Sequence, residues 1–270
     1  ENILSIILDP KLEDFGRLLS LDLFADHSKR SDYLIHLEPL LLEPSSQVRK
    51  KFAYILRKVA SPLALKFLIL LLDDEDSSVR QQAIQSLGFV GDKTIVPKLL
   101  EKLKDDNSLV RYEAAVTLTT LGWAPSNKEE NMLFLFARDK WQDLESIPDL
   151  PPEVFYPYLH DTDDNIRAHV VELLGNLHDE NALDLLFDLL TNDSSYEVRE
   201  LSSKAIANIG TKKSIMLLNQ AALHDDWFVR KCVAESLGSF LSKSAIETLL
   251  ELAKDDNYYC LLYTSPSPRD

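Results

Sequence analysis

Three His-Asp pairs, His160-Asp161, His178-Asp179 and His224-Asp225, are the residues of this sequence best suited to a metal or a proton relay. Imidazole and carboxylate are common ligands and proton carriers. Carboxylates also crowd short segments: Asp73-Asp74-Glu75-Asp76, Asp105-Asp106, Asp161 with Asp163 and Asp164, Asp193, and Asp225-Asp226. An arginine follows a β-branched residue at Val48-Arg49, Val79-Arg80, Val110-Arg111, Ile166-Arg167, Val198-Arg199 and Val229-Arg230. Such an arginine can reach a neighbouring turn and fork onto an aspartate there, an Asp–Arg ladder between repeats. Other chemistry is missing. There is no Gly-rich phosphate loop, no G-x-S-x-G elbow, no H-E-x-x-H and no CxxC. The two cysteines, Cys232 and Cys260, cannot make a disulfide framework. Cys232, three residues past Val229, neighbours a buried-stripe position and reads as an inert thiol rather than a nucleophile.

The elements that must position these groups follow from the same anchors. Their spacings are 31, 31, 56, 32 and 31 residues, a repeat with one insertion of about 25 residues. Three residues before each anchor stand Ser45, Asp76, Asn107, Asp163, Ser195 and Asp226, all good N-cap types. Four and eight residues after it come Phe52 and Leu56, Ala83 and Leu87, Ala114 and Leu118, Val170 and Leu174, Ser202 and Ile206, and Val233 and Leu237. Those positions share one face, so each anchor opens an amphipathic helix B. Small residues after it (Gly88, Gly91, Gly122, Gly175, Gly210, Gly238) permit close packing or end the helix. Ahead of each cap lies a second apolar segment, helix A: Tyr33–Leu42, Ala64–Leu72, Ile95–Leu103, Val154–Leu159, Ala182–Leu190, Ile215–Leu223 and Ala245–Leu252. No segment alternates with period two. Short helix pairs cannot bury their faces alone and must stack. The expected fold is all-α, an α-solenoid wound as a right-handed superhelix.

Segments such as Leu103-Lys104-Asp105-Asp106-Asn107-Ser108-Leu109-Val110-Arg111-Tyr112-Glu113-Ala114-Ala115 resemble HEAT repeats, in particular the short type named after phycobilisome bilin lyases. The resemblance covers about residues 31–259 and implies the fold more than any activity. Leu121-Gly122-Trp123-Ala124-Pro125 with Phe136-Ala137-Arg138-Asp139-Lys140-Trp141 resembles a Trp-containing spacer of prokaryotic HEAT-repeat proteins. Glu129–Arg138 reads as its helix, with Met132, Leu133, Leu135 and Phe136 apolar; it serves as a structural patch or lines an aromatic ligand pocket. Some HEAT-type hydroxylases bind iron through paired His-Glu motifs, but no His-Glu dipeptide occurs here. His160 and His224 hold like positions two repeats apart, too far for a shared ion. HEAT-like DNA glycosylases need a basic aromatic concave face, where this chain offers Gln81, Gln82, Gln85, Glu113, Glu172, Glu200 and Glu235.

The expected organisation is a partial N-terminal repeat or lead-in helix (1–30), repeats 1–3 (31–122), the helical Trp-containing insertion (123–150), and repeats 4–6 plus helix A of a truncated seventh (151–259). Residues 260–270, Cys260 to Asp270, resemble a translated sequencing adapter and are expected to be foreign to the gene. Against 29 Lys and Arg stand 44 Asp and Glu, a net charge of −15, which opposes nucleic acid and anionic membranes. No run of eighteen uncharged apolar residues occurs, and the chain reads as cytoplasmic.

Two functions follow. The first is a non-enzymatic scaffold, a monomer that binds a protein partner bearing basic patches on its concave face or acidic turn ridge. Candidate partner-binding residues are Arg80, Arg111, Tyr112, Arg167, His169, Arg199 and Arg230. The candidate ridge is Asp74, Asp76, Asp105, Asp106, Asp161, Asp163, Asp193, Asp225 and Asp226, whose competing role is to offset helix dipoles at about 0.3–1 kcal/mol each. The second, implied by the resemblance, is a bilin lyase or lyase-like chaperone for phycobiliproteins, with Tyr112, Trp123, Trp141 and His169 nearest a tetrapyrrole. Neither reading assigns a catalytic residue, a metal or a cofactor to the scaffold.

Overall fold

A stripe at positions 0, +4 and +8 needs a helix to bury it, and a computed structural model of the protein bears this out. Every stripe residue from Val48, Phe52 and Leu56 to Val229, Val233 and Leu237 is buried. The structure describes residues 2–27, 30–90, 93–240 and 242–257, so Gly91 and the segment 260–270 lie outside it. Among the described residues every regular element is helical, and no helix is long and apolar enough to cross a membrane. The fold is an all-α helical-repeat solenoid. The chain divides into two compact units, Glu1–Lys140 and Trp141–Asp270.

The first unit contains α1 (Asn2–Leu8), α2 (Asp14–Asp26), α3 (Arg30–Tyr33), a 3-10 helix (Leu34–Leu42), α4 (Ser46–Val59), α5 (Pro62–Leu71), α6 (Ser77–Val90), α7 (Val96–Lys102), α8 (Ser108–Thr120) and α9 (Lys128–Ala137). Helices α2, α4, α6 and α8 are the B helices, and each packs on the next. The second unit contains α10 (Trp141–Glu145), a 3-10 helix (Pro152–His160), α11 (Asp164–Asn176), α12 (Leu183–Asn192), α13 (Tyr196–Ile209), α14 (Lys212–Ala221), α15 (Trp227–Leu237) and α16 (Lys243–Leu252). Its B helices are α11, α13 and α15, packed in that order.

Caps stand where the sequence places them. Ser45 accepts the Val48 N–H, Asp76 that of Ser78, Asn107 those of Leu109 and Val110, Asp163 that of Asn165, and Asp226 that of Phe228. Each such cap contributes about 1 kcal/mol. Ser195 is the exception, making no side-chain cap bond. Gly175 is required by close packing, because a Cβ there would meet the Ala205 Cα of α13 at 2.9 Å. Gly210 ends α13 at φ +71°, a left-handed conformation that L side chains disfavour.

The A elements before α4 and α11 are wound as 3-10 rather than α. Pro39 and Pro157 sit inside these segments. In an α-helix their rings would collide with the carbonyls of Ile35 and Glu153, whereas three residues per turn avoids that clash.

Candidate functional site

The repeated arginine is the element that builds the A–B turns. Each one points back into its own turn: Arg49 Nη1 donates to the Glu43 carbonyl at 2.6 Å, Arg80 Nη1 to Asp74 at 3.0 Å, Arg167 Nη1 to Asp161 at 2.8 Å, and Arg230 Nη1 to His224 at 2.8 Å. The same side chains reach forward to a carboxylate of the next turn. Arg49 forks onto Asp74 (2.7 and 2.8 Å), Arg80 onto Asp105 (2.9 and 2.6 Å), Arg167 onto Asp193 (2.8 and 2.8 Å) and Arg230 onto Asp255 (2.6 and 3.1 Å). Arg199 pairs with Asp226 at 2.6 Å. The result is a ladder of ion pairs within each unit, with paired, planar donors satisfying most lone pairs of the acceptor.

The leading carboxylate of each turn folds that turn by accepting the N–H two residues on. Asp74 takes Asp76 at 2.9 Å, Asp105 takes Asn107 at 3.0 Å, Asp161 takes Asp163 at 3.0 Å, Asp193 takes Ser195 at 2.8 Å and Asp255 takes Asn257 at 2.8 Å. In the turn before α15 the corresponding residue is His224, whose Nδ1 accepts the Asp226 N–H at 3.1 Å. That contact requires an unprotonated Nδ1.

Burial alone pushes the Asp193 and Asp105 carboxyls up. The guanidinium of Arg167 or Arg80 and the turn N–H outweigh it and hold both below the usual carboxylate range. For Glu43 the leading cause is the hydrogen bond from Arg17, which holds it low against desolvation.

The arginines expected at a partner surface are therefore placed in the framework. Arg80, Arg111 and Arg167 are buried, Arg199 and Arg230 are half-buried, and all five donate to their own turns. Arg111 lies 5.3 Å from the Phe136 ring centre, the residue standing where the next turn's acid would fall. One rung lies outside the Val-Arg anchors: Arg17, paired with Glu43 at 2.8 and 2.5 Å. The available signal for Arg17 was its place 32 residues before Arg49, with Gly16 in the anchor position.

The ridge acids divide into two kinds. Asp74, Asp105, Asp161, Asp193 and Asp226 are held by ladder or turn bonds, and Asp76 and Asp163 cap helices. Asp106, next to Asp105, keeps its side chain 87% exposed while touching Arg80, and Asp225 is exposed. Glu75, in the same acidic run as Asp74, is 85% exposed while touching Arg49 at 3.2 Å.

The aromatic candidates separate by unit. In the second, Trp141 stacks on His169 with ring centres 4.7 Å apart and planes 4° from parallel. His169 Nδ1–H donates to the Asn165 carbonyl at 2.7 Å. In the first, Trp123 packs on Phe134 (5.6 Å), and exposed Tyr112 lies 5.7 Å from the Arg138 guanidinium. Cys232 is buried, and burial pushes its thiol up to about 12, which leaves it protonated at neutral pH. Among the described residues no three His, Cys, Asp or Glu are grouped to hold a metal ion.

Residues 35–119, 152–226 and 183–261 match the family of HEAT repeats. A stretch of 90 residues is 28% identical to a deoxyhypusine hydroxylase of Eremothecium gossypii and one of equal length is 30% identical to that of Candida albicans, each match covering 33% of this chain. The chain spans 28% of the length of these hydroxylases. Over 187 residues it is 25% identical to an uncharacterized phycocyanin operon protein Z of Pseudanabaena tenuis, covering 63% of this chain and 91% of that protein. The hydroxylase matches correct the expectation of a non-enzyme, since relatives of this chain carry the name of an enzyme.

Proposed function

Because this chain belongs to the HEAT-repeat family, we propose that it is a docking scaffold whose turn ridge binds a protein partner bearing basic patches. The observation that carries this reading is the division of labour among the ridge acids. One carboxylate per turn is forked and buried by the ladder arginine, while Glu75 and Asp106 beside it touch that arginine through one oxygen and stay 85% and 87% exposed. Asp164 and Asp225 are exposed in the second unit. Charges left in water beside successive turns attract a cationic surface. The reading concerns what the surface binds and leaves room for the catalysis that the hydroxylase names imply. Its test is capture from a native lysate by the wild type and by Glu75→Gln/Asp106→Asn/Asp164→Asn/Asp225→Asn. Basic proteins held by the wild type should be lost by the variant and by raised salt; identical captured sets would end the idea.

A second reading is favoured by the match along 91% of the phycocyanin operon protein. On it the protein handles a bilin, as a lyase or chaperone, with the stacked Trp141 and His169 against the tetrapyrrole. Added phycocyanobilin should then show a shifted, stronger visible band that Trp141→Ala abolishes. An unchanged spectrum removes this reading.

A further inference from the structure

Four grooves among the described residues lie between neighbouring elements on the turn side. Their volumes are about 320 Å³ beside α7 and α9, 490 Å³ between α14 and α16, 370 Å³ between the second 3-10 helix and α12, and 1020 Å³ between the first 3-10 helix and α5. The last is the largest of the four. Its 3-10 helix, Leu34–Leu42, is almost wholly apolar, and three residues per turn bring Leu34, Leu37 and Leu40 into one buried row. The remaining rows must face out, which leaves Ile35 49% and Leu42 90% exposed. Leu70 of α5, 51% exposed, faces the same groove. Apolar side chains held in water around a concavity are an unspent source of binding energy.

The charge around them selects an occupant. The rim carries Glu38, Asp73 and Glu75, all exposed; Asp73 meets Lys102 at 2.7 Å, and Glu75 lies 3.2 Å from an Arg49 guanidinium already forked onto Asp74. An apolar floor inside an acidic rim fits a segment with apolar side chains on one face and lysines or arginines at its edges.

We propose that this groove receives a short amphipathic, basic segment of a protein partner, its apolar side chains covering Ile35, Leu42 and Leu70 and its cations meeting Glu38 and Glu75. The inference rests on the docking reading above and gives it an address.

The probe is a fluorescein-labelled amphipathic Leu/Lys peptide, with its Leu/Glu counterpart as control, followed by anisotropy on the full chain. The wild type should bind the Leu/Lys peptide alone. Leu42→Ser/Leu70→Ser should weaken binding at least tenfold with an unchanged helical spectrum, while Leu223→Ser, 85% exposed at the α14–α16 groove, leaves it intact. A photoreactive copy of the peptide should cross-link within 35–42 and 70–75 of the wild type, a result independent of how any variant folds. Undiminished affinity in the double variant, cross-links elsewhere, or no binding overturns the groove inference. The lysate capture decides the broader docking reading separately, since basic proteins can be held by the ridge with the groove empty.

Discussion

The groove beneath the first 3-10 helix and its counterpart beneath the second share one construction. In each, a Pro-bearing 3-10 segment precedes the turn, a ladder arginine staples that turn, and a carboxylate of the next turn closes the floor: Arg49 with Asp74 in one, Arg167 with Asp193 in the other. The rims differ residue for residue. Seven positions before the arginine stand Leu42 and His160; flanking the floor carboxylate are Asp73 and Glu75 in one unit, Asn192 and Ser194 in the other. The floor is what folding needs, so both units have it. The rim of exposed leucine and acid lies over the first floor and not over the second, which makes composition rather than concavity the mark that separates these two grooves.

If that division is right, the floors are interchangeable and costly to break. Asp74→Ala and Asp193→Ala each strand a buried guanidinium, and each should lower stability by about 3–5 kcal/mol, read as a fall in the urea midpoint. The exposed neighbour change Asp106→Ala should shift it by less than about 0.5 kcal/mol. A large difference between the two floor variants would break the equivalence of the units.

The next effect separates the packing of the two units. A methyl added at Gly175 meets the backbone of Ala205 at 2.9 Å, which cannot yield without moving α13, whereas one at Gly88 meets a Thr117 methyl at 3.3 Å. Gly175→Ala should cost about 1–3 kcal/mol. Gly88→Ala should be close to neutral, the crowding offset by about 1 kcal/mol of helix propensity. Paired thermal melts of the two variants check this.

These contrasts mark what the amino-acid pattern reveals and what it hides. The stripes, the caps and the A–B alternation are local, so periodicity and cap chemistry expose them. The ladder is half legible: acids fall 25–27 residues after Arg49, Arg80, Arg167, Arg199 and Arg230, a spacing that assigns those arginines to the next turn rather than to a partner. Arg17 hid because Gly16 replaces the usual Val. The groove was illegible because Leu42 looks like any helix-A leucine until the winding is known. Pro39 was the only clue that the inward row would be Leu34, Leu37 and Leu40.

A smaller effect follows from the carboxylates that close the turns. Glu43 and Asp193 titrate below an unfolded carboxyl, which protonates near pH 4. A lowered folded value means that their stabilisation is complete above about pH 4 and is lost as pH falls through the folded values. Glu43→Gln and Asp193→Asn should each flatten the acid limb of a urea-midpoint profile. Glu113, raised by burial against the pull of Gln81, works in the opposite sense and favours folding as pH drops. Its Gln variant should steepen the limb.

The smallest expected effect is also the most direct challenge to the rim argument. If composition alone separates the two grooves, it can be transplanted. His160→Leu with Asn192→Asp and Ser194→Glu recreates the first rim over the second floor, all at exposed positions where substitutions typically change stability by less than about 0.5 kcal/mol. The second groove is smaller, 370 against 1020 Å³, and the residue matching Leu70 is the buried Leu189, so less apolar surface is on offer. The triple variant made in the Leu42→Ser/Leu70→Ser background should regain Leu/Lys peptide binding by a few-fold, with cross-links moved to 160 and 192–194. Recovery with the cross-links still at the first groove would instead show that added negative charge anywhere suffices, and the distinction between floor and rim would fall.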